Sequence, residues 1–345
     1  MCAQGHAVHA TAPAISDEDA DCIRALGATP HEVPLERNGL GPFSDLNYLL
    51  ALWRLIGELA PDRLLNYTIK PNIWGSIAGR MRGVATTSMV TGLGYMFAAS
   101  TTWKQRGPKA IARRLYGIAL QSNQSILFQN PDDVRDFAEA VPSLDLDKVH
   151  MINGSGVDLG HYAPAPLPDQ PVFLMIARLL GAKGIREYAA ACAILKQHCP
   201  DAQCLLVGMT DDGPDGVSEA EVRKLCAGSI DYLGSMADVR PAIARANVYV
   251  LPSYREGTPR STLEAMAMGR AVVTTDVPGC RETVAHGENG LLVPVRDVAA
   301  LGAAMIELAQ SADLRQVMGS KSLALAQTRF AVDKVNNKII DALNL

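Results

Sequence analysis

A chain of 345 residues that is 48% hydrophobic and 20% charged carries more apolar side chains than one core of ordinary size holds, so its composition excludes a disordered chain and predicts two domains. The net charge of −4 points by itself to neither nucleic acid nor a membrane surface, and no apolar run reaches the roughly 18 residues that a spanning helix needs. Seven cysteines without a Cys-x-x-Cys pair, and the lack of a basic-then-apolar opening segment, predict a reduced, metal-free interior in a cytoplasmic protein.

The opening MCAQGH reads as the last turn of a helix closed by Gly5 and followed at once by a strand at 7–12. The usual first strand with its glycine-rich turn is not there. In a doubly wound sheet of order 3-2-1-4-5 that strand is central, so two inner edges would be left unpaired. An upstream start codon or a damaged N-terminal lobe would each account for it. A helix over Asp17–Leu26, closed by Gly27, leads to a strand at 29–33. Next come a helix capped by Ser44 and running to about Ala60, a strand at 63–67, a helix beginning at Pro71, a strand at 86–90, a helix at 108–121 and a strand at 125–128.

Between Asp62 and Asp132 no acidic residue occurs, against nine cations (Arg63, Lys70, Arg80, Arg82, Lys104, Arg106, Lys109, Arg113, Arg114), which leaves −13 on the remainder. One lobe is basic and the other acidic. The stretch APAPLPDQP (163–171) reads as an interdomain linker. A second series follows, with strands at 172–176, 203–207, 230–233, 248–251, 271–275 and 290–293, and helices at 184–198, 218–227, 238–246, 261–268 and 297–309. The alternation predicts an α/β chain of two Rossmann-like domains facing a cleft, 1–162 and 172–328, with a C-terminal helix in 329–345 packing back on the first.

The chemistry concentrates in the second half. After the strand FLMIA, Arg178 and Lys183 flank a glycine-bearing turn with a helix start behind it, a combination suited to a diphosphate; a solvated lysine at a helix start is the plain alternative. After VYVLPS, Glu256 stands at the edge of a loop and Glu264 on the helix that follows. Gly257, Thr258, Pro259, Arg260 and Ser261 lie where helix-terminal N–H groups can meet an anion. A carboxylate among Leu263, Ala265, Met266 and Ala267 is costly to bury without partners, and a ribose diol would supply two donors. Asp211-Asp212 reads as a loop pair without the context of a metal signature, Asp158 as a turn or cap residue, and His150, His161, His198 and His286 lack ligand spacing. Gly92-Leu-Gly94 is too short for a dinucleotide fingerprint.

Glu256 and Glu264, with seven residues between them within EGTPRSTLEAMAMGRAVVTTDVPGCRE, resemble the Glu-x7-Glu motif of the retaining glycosyltransferases with the GT-B fold. YTIKPNIWG (67–75), VTGLGYMF (90–97), LFQNPDD (127–133), INGSGVDL (152–159) and VPGCRETVAHGENGLLVPVRD (277–297) are similar to the subgroup that extends polyprenyl-diphosphate-linked saccharides. The resemblance implies a UDP-sugar donor, an N-acetylhexosamine as the transferred group, no metal or other cofactor, and a lipid-linked acceptor at the inner face of the cytoplasmic membrane. It assigns the donor diphosphate to Arg178 and Lys183 and the transferred sugar to Glu256, with 257–261 in support. Glu264 and the adjoining Leu263 fall to the ribose, and Tyr232 and Leu233 to the uracil. Lys70, Asn72, Gly92 and Gly94 are the implied acceptor contacts, and Trp103 to Tyr116 a basic, aromatic membrane patch. A nucleotide-sugar epimerase would instead need acid and base groups on both lobes, and a degenerate member would bind the donor without transfer.

Overall fold

Strands in this chain are short, and several of the second half, VFLMI (172–176), VYVL (248–251) and AVVTT (271–275), are buried almost throughout, as in parallel ladders covered on both faces. A computed structural model describes residues 1–36, 41–93, 103–211, 213 and 215–345, for 103–109 the backbone alone. Gly94 and Asp212 therefore lie outside the described residues, as do the side chains of Trp103, Lys104, Arg106 and Lys109. The chain divides into two units, 1–128 with 134–151 and 338–345, and 129–133 with 152–337.

Unit 1 contains two separate parallel ladders. β1 (His9–Ala12) pairs with β2 (Thr29–Glu32). β3 (Arg63–Tyr67), β4 (Ala85–Val90), β5 (Ser125–Phe128) and β6 (Val149–Met151) form the other, in that order. Among the described residues no pairing joins β1 to β3. Helix α1 (Asp17–Ala25) is capped by Ser16, whose hydroxyl accepts from the Asp19 amide. Helix α2 (Pro42–Leu59) starts earlier than the Ser44 cap predicts: Pro42 presets the first turn, and the Ser44 hydroxyl turns back to donate to the Gly41 carbonyl. Helix α3 (Ile69–Arg82) also begins before Pro71, which fits within a first turn whose N–H groups need no helical partner. Helices α4 (Trp103–Gln121) and α5 (Pro131–Ala140) follow, and Tyr116, Phe128 and Phe137 meet edge to face in the core.

Unit 2 is one six-stranded sheet, in the order β12-β11-β10-β7-β8-β9, parallel throughout. Its strands are β7 (Val172–Ile176), β8 (Gln203–Val207), β9 (Asp231–Tyr232), β10 (Val248–Leu251), β11 (Ala271–Thr275) and β12 (Gly290–Val293). Helices α6 (Ile185–His198), α7 (Glu219–Cys226), α8 (Arg240–Ala244), α9 (Arg260–Ala267), α10 (Val298–Gln310), α11 (Ala312–Leu325) and α12 (Val332–Leu343) complete the pattern. The first strand of this unit is central and the order reverses beside it, which is the dinucleotide-fold arrangement; its switch point lies between β7 and β10.

The units do not coincide with the stretches 1–162, 163–171, 172–328 and 329–345. The change of unit falls at 151/152, residues 129–133 count with unit 2, and 338–345 with unit 1, where the Arg63 guanidinium donates to the Leu343 carbonyl at 2.8 Å. The proline-rich stretch 163–171 is packed on unit 2. Its carbonyls, which an extended proline-rich backbone cannot satisfy internally, accept from Arg270 (Pro166, 3.2 Å), Asn247 (Pro168, 2.6 Å) and Arg315 (Asp169, 3.4 Å). Burial brings the Arg270 guanidinium down to about 10.

Candidate functional site

The carboxyl ends of β7 and β10 flank the switch point, and each carries one of the two charged motifs. Beyond β7 the chain makes a tight turn over Gly181–Lys183, and Gly184, at φ 75°, launches α6. A Cβ at Gly184 would lie 2.1 Å from the Pro252 carbonyl oxygen, so the two loops approach as closely as backbone allows. The Tyr254 amide donates to the Ala182 carbonyl at 2.9 Å and ties them together.

This approach joins Lys183 to Glu256, Nζ to Oε1 at 2.5 Å, and the Ser253 hydroxyl donates to the same oxygen at 2.7 Å. The Glu256 side chain keeps 12% of its surface exposed, so the pair is shielded yet open on one side. Its backbone is fixed as well: the Glu256 amide donates to the Pro278 carbonyl at 3.0 Å. Opposite, Gly279 takes φ 83°, and a Cβ there would come within 2.2 Å of the Glu256 carbonyl oxygen. Arg178 is placed differently. Its guanidinium stays 64% exposed and pairs with Asp211 at 3.3 Å.

Glu264 lies on α9, one turn after Arg260, whose guanidinium is 3.9 Å away; only 12% of the carboxylate side chain is exposed. Burial pushes its pKa up, against the pull of Arg260 and of a hydrogen bond from the Tyr162 hydroxyl. Tyr162 is itself held at about 12, by burial and then by the Glu264 charge. Pro259 is the cap residue of α9. The Ser261 hydroxyl is used inward, donating to the Ile176 carbonyl at 3.1 Å, and Leu263 is wholly buried, so both hold α9 against β7. Tyr232 and Leu233 border a cavity of about 480 Å³ with Gly208, Glu219 and Arg223, and the Tyr232 hydroxyl donates to the Gly208 carbonyl at 2.9 Å.

In unit 1, Lys70 is only 14% exposed and is engaged by Asp45 at 2.8 Å and by the Glu36 carbonyl at 2.7 Å. Asn72, expected at the acceptor, is completely buried. Its amide donates to the Met89 carbonyl at 2.9 Å and to the Tyr116 hydroxyl at 2.7 Å, so it fastens α3 to the core. Gly92 follows β4 at φ 131°. Asp158 forms a local turn, its carboxylate accepting from the Gly160 and His161 amides, which lower its pKa. Among the described residues no cluster of three or more His, Cys, Asp or Glu could hold a metal ion, and no helix is long and apolar enough to cross a membrane.

Several partners of the site receive no role in the sequence reading. Tyr162 is one; Asn130, Asp132, Asp133, Arg255 and Arg281 are others. Asp133 binds Arg255, and Asp132 binds Arg281 at 2.7 Å. The pattern Asn-Pro-Asp-Asp does announce a helix start, since it places a cap, a first-turn proline and two acids in order. Nothing in it names the arginines more than a hundred residues away.

Two α/β units with parallel sheets, one of them with the dinucleotide-fold strand order and a charged switch point, define an α/β protein of the GT-B class. Residues 170–311 match the family described as glycosyl transferases group 1, and residues 2–130 that described as glycosyl transferase 4-like. The chain belongs to these glycosyltransferases and is an enzyme of that kind. N,N'-diacetylbacillosaminyl-diphospho-undecaprenol alpha-1,3-N-acetylgalactosaminyltransferase of Campylobacter jejuni is 28% identical over 316 residues, 87% of this chain and 81% of that protein. The capsular polysaccharide biosynthesis glycosyltransferase CapM of Staphylococcus aureus is 24% identical over 315 residues, with the same shares covered. Anabaena Alr3699/HepE, solved in complex with UDP, superposes with a TM-score of 0.78 at 19% identity, over 97% of this chain and 91% of that one.

Proposed function

We propose that this glycosyltransferase moves a sugar, an N-acetylhexosamine, from a UDP-sugar to a saccharide carried on polyprenyl diphosphate, with retention of anomeric configuration. The observation that carries the reading is the Lys183–Glu256 pair at the switch point, where doubly wound sheets bind nucleotides. The printed activity of the Campylobacter jejuni relative supports the acceptor and the sugar class, and the UDP complex of Alr3699/HepE supports the nucleotide.

In this reading unit 2 takes the donor and unit 1 the acceptor. Tyr232 and Leu233 border the base cavity, Glu264 binds the ribose, and Lys183 and Arg178 neutralise the diphosphate together with the N–H groups at the start of α6. Glu256, with Gly257 to Ser261, holds the transferred sugar. The bond from the anomeric carbon to the phosphate oxygen breaks as the bond to the acceptor oxygen forms on the same face, and the departing phosphate takes the acceptor proton. The leaving charge falls on Lys183 and Arg178, so no metal is called for. Lys70 and Gly92 mark the acceptor side of unit 1. Exposed Phe43, Leu46 and Leu50 on α2, and Ile111, Arg114 and Ile118 on α4, support docking on the cytoplasmic face of a membrane.

The test is UDP release and product formation with a panel of UDP-sugars and a membrane-extracted polyprenyl-diphosphate acceptor, for this chain and its Glu256→Ala variant. Acceptor-dependent turnover that falls on the order of 100-fold or more in the variant is the expected result. Equal turnover in both would sink the assignment of Glu256. UDP-sugar binding with no turnover in either would select a second reading, donor binding without transfer.

A further inference from the structure

Glu256 sits in a loop whose two flanking residues are both held by one short segment, 129–133, which belongs to the same unit. On one side, Arg255 directs Nε and Nη2 at Asp133 Oδ1, the Nε contact being 3.2 Å. On the other, the Asn130 amide donates to the Gly257 carbonyl at 3.2 Å and to Asp133 Oδ2 at 3.0 Å. Asn130 Oδ1 accepts from the Asp133 amide at 2.7 Å, which caps α5 and locks the two residues to each other. A third strut comes from Asp132 to Arg281 at 2.7 Å, in the segment whose Pro278 carbonyl accepts from the Glu256 amide.

Capping alone does not account for this arrangement. The cap is complete with Asn130 Oδ1 on the Asp133 amide, and an acid in a first turn is favourable while exposed to water. The Asp133 side chain is instead fully buried, at 0% exposure, a state that a carboxylate tolerates when it is paired and hydrogen-bonded. One of its oxygens accepts from Asn130 and the other from Arg255, the residue next to Glu256.

We propose that Asp133 and Asn130 are positioning residues for Glu256: from the start of α5 they clamp the backbone on both sides of it and so set the height and direction of its carboxylate against Lys183. The consequence for sugar transfer rests on the function proposed above; the clamp itself does not. Neither residue is assigned contact with the donor.

The experiment has an arm for each. Hydrogen exchange of the Tyr254 and Glu256 amides, both hydrogen-bonded in the loop, is followed by mass spectrometry in the full chain and in its Asp133→Asn variant. Exchange of these amides is expected to rise about tenfold in the variant, while that of 203–207 stays as it was. Unchanged exchange in the folded variant would overturn the proposal. With the UDP-sugar that the wild type uses, kcat is expected to fall on the order of 100-fold with UDP affinity within about threefold, because a displaced carboxylate spoils the reaction more than nucleotide binding. A loss of UDP affinity as large as the loss in kcat would mark a structural role alone and overturn it. Combining Asp133→Ala with Arg255→Ala is expected to cost less than the sum of the two single losses, since they share one contact; additive losses would count against the clamp. Should Asp133→Asn fail to fold, Arg255→Gln, on the partly exposed partner, carries the same two measurements. A wild type that turns over no UDP-sugar would fell the functional reading, and the exchange arm would still decide the clamp.

Discussion

Glu264 shows the conflict between stability and binding at a single residue. Burial raises its folded-state pKa, so folding favours the protonated form; that stability is present below the unfolded carboxylate value and is lost as pH rises through the folded one. At neutral pH the ionised group is a cost that a ribose diol would offset. Glu264→Gln is therefore expected to stabilise the free protein at pH 7 by about 1 kcal/mol and to weaken UDP binding on the order of tenfold or more. Thermal unfolding at pH 7 and pH 4, with titration of UDP, checks both. A gain of the same size at pH 4, where the wild-type carboxyl is largely protonated, would show that desolvated charge is not its origin.

At the scale of elements, the site depends on two loops brought into backbone contact by parallel strands of one sheet. Gly184 is the point of closest approach, with a positive φ and the Pro252 carbonyl where a side chain would go. Gly184→Ala must shift either α6 or the β10 loop, and is expected to cost about 1–3 kcal/mol of stability together with most of the activity. Denaturant unfolding reads the first quantity; a loss under about 0.5 kcal/mol would mean that the loops separate easily. The packing of 163–171 belongs to the same scale. Three buried side chains, Arg270, Asn247 and Arg315, each donate to a carbonyl of that stretch, which makes it part of unit 2.

At the scale of the whole molecule, the nine cations without an acidic residue between Asp62 and Asp132 concentrate positive charge in unit 1. Exposed apolar residues on α2 and α4 belong to the same unit. If the substrate is anchored in a membrane, the chain is expected to sediment with vesicles containing anionic lipid and to release them as salt rises. Each basic side chain near the surface contributes about 1 kcal/mol, screened within a Debye length of roughly 8 Å at physiological ionic strength. Replacing Arg113 and Arg114 by Gln should weaken sedimentation; indifference to both salt and charge would remove the membrane from the reading.

The sequence alone determined the two α/β series and every strand of the second, and it singled out Lys183, Glu256 and Glu264 as candidates, because apolar periodicity, glycine-bearing turns and charge among apolar neighbours are local signals. It passed over β6, with three residues, α11, and α5, although Asn-Pro-Asp-Asp announces the start of the last. Which polar residues face inward was not a local property. Asn72 became core and Ser261 a fastener of α9. Asn130 and Asp133 met Arg255 and Gly257 across 122 to 127 residues of chain. A hydrogen-bond partner so distant is chosen by strand order and helix packing, which bring together residues that no spacing in the sequence relates.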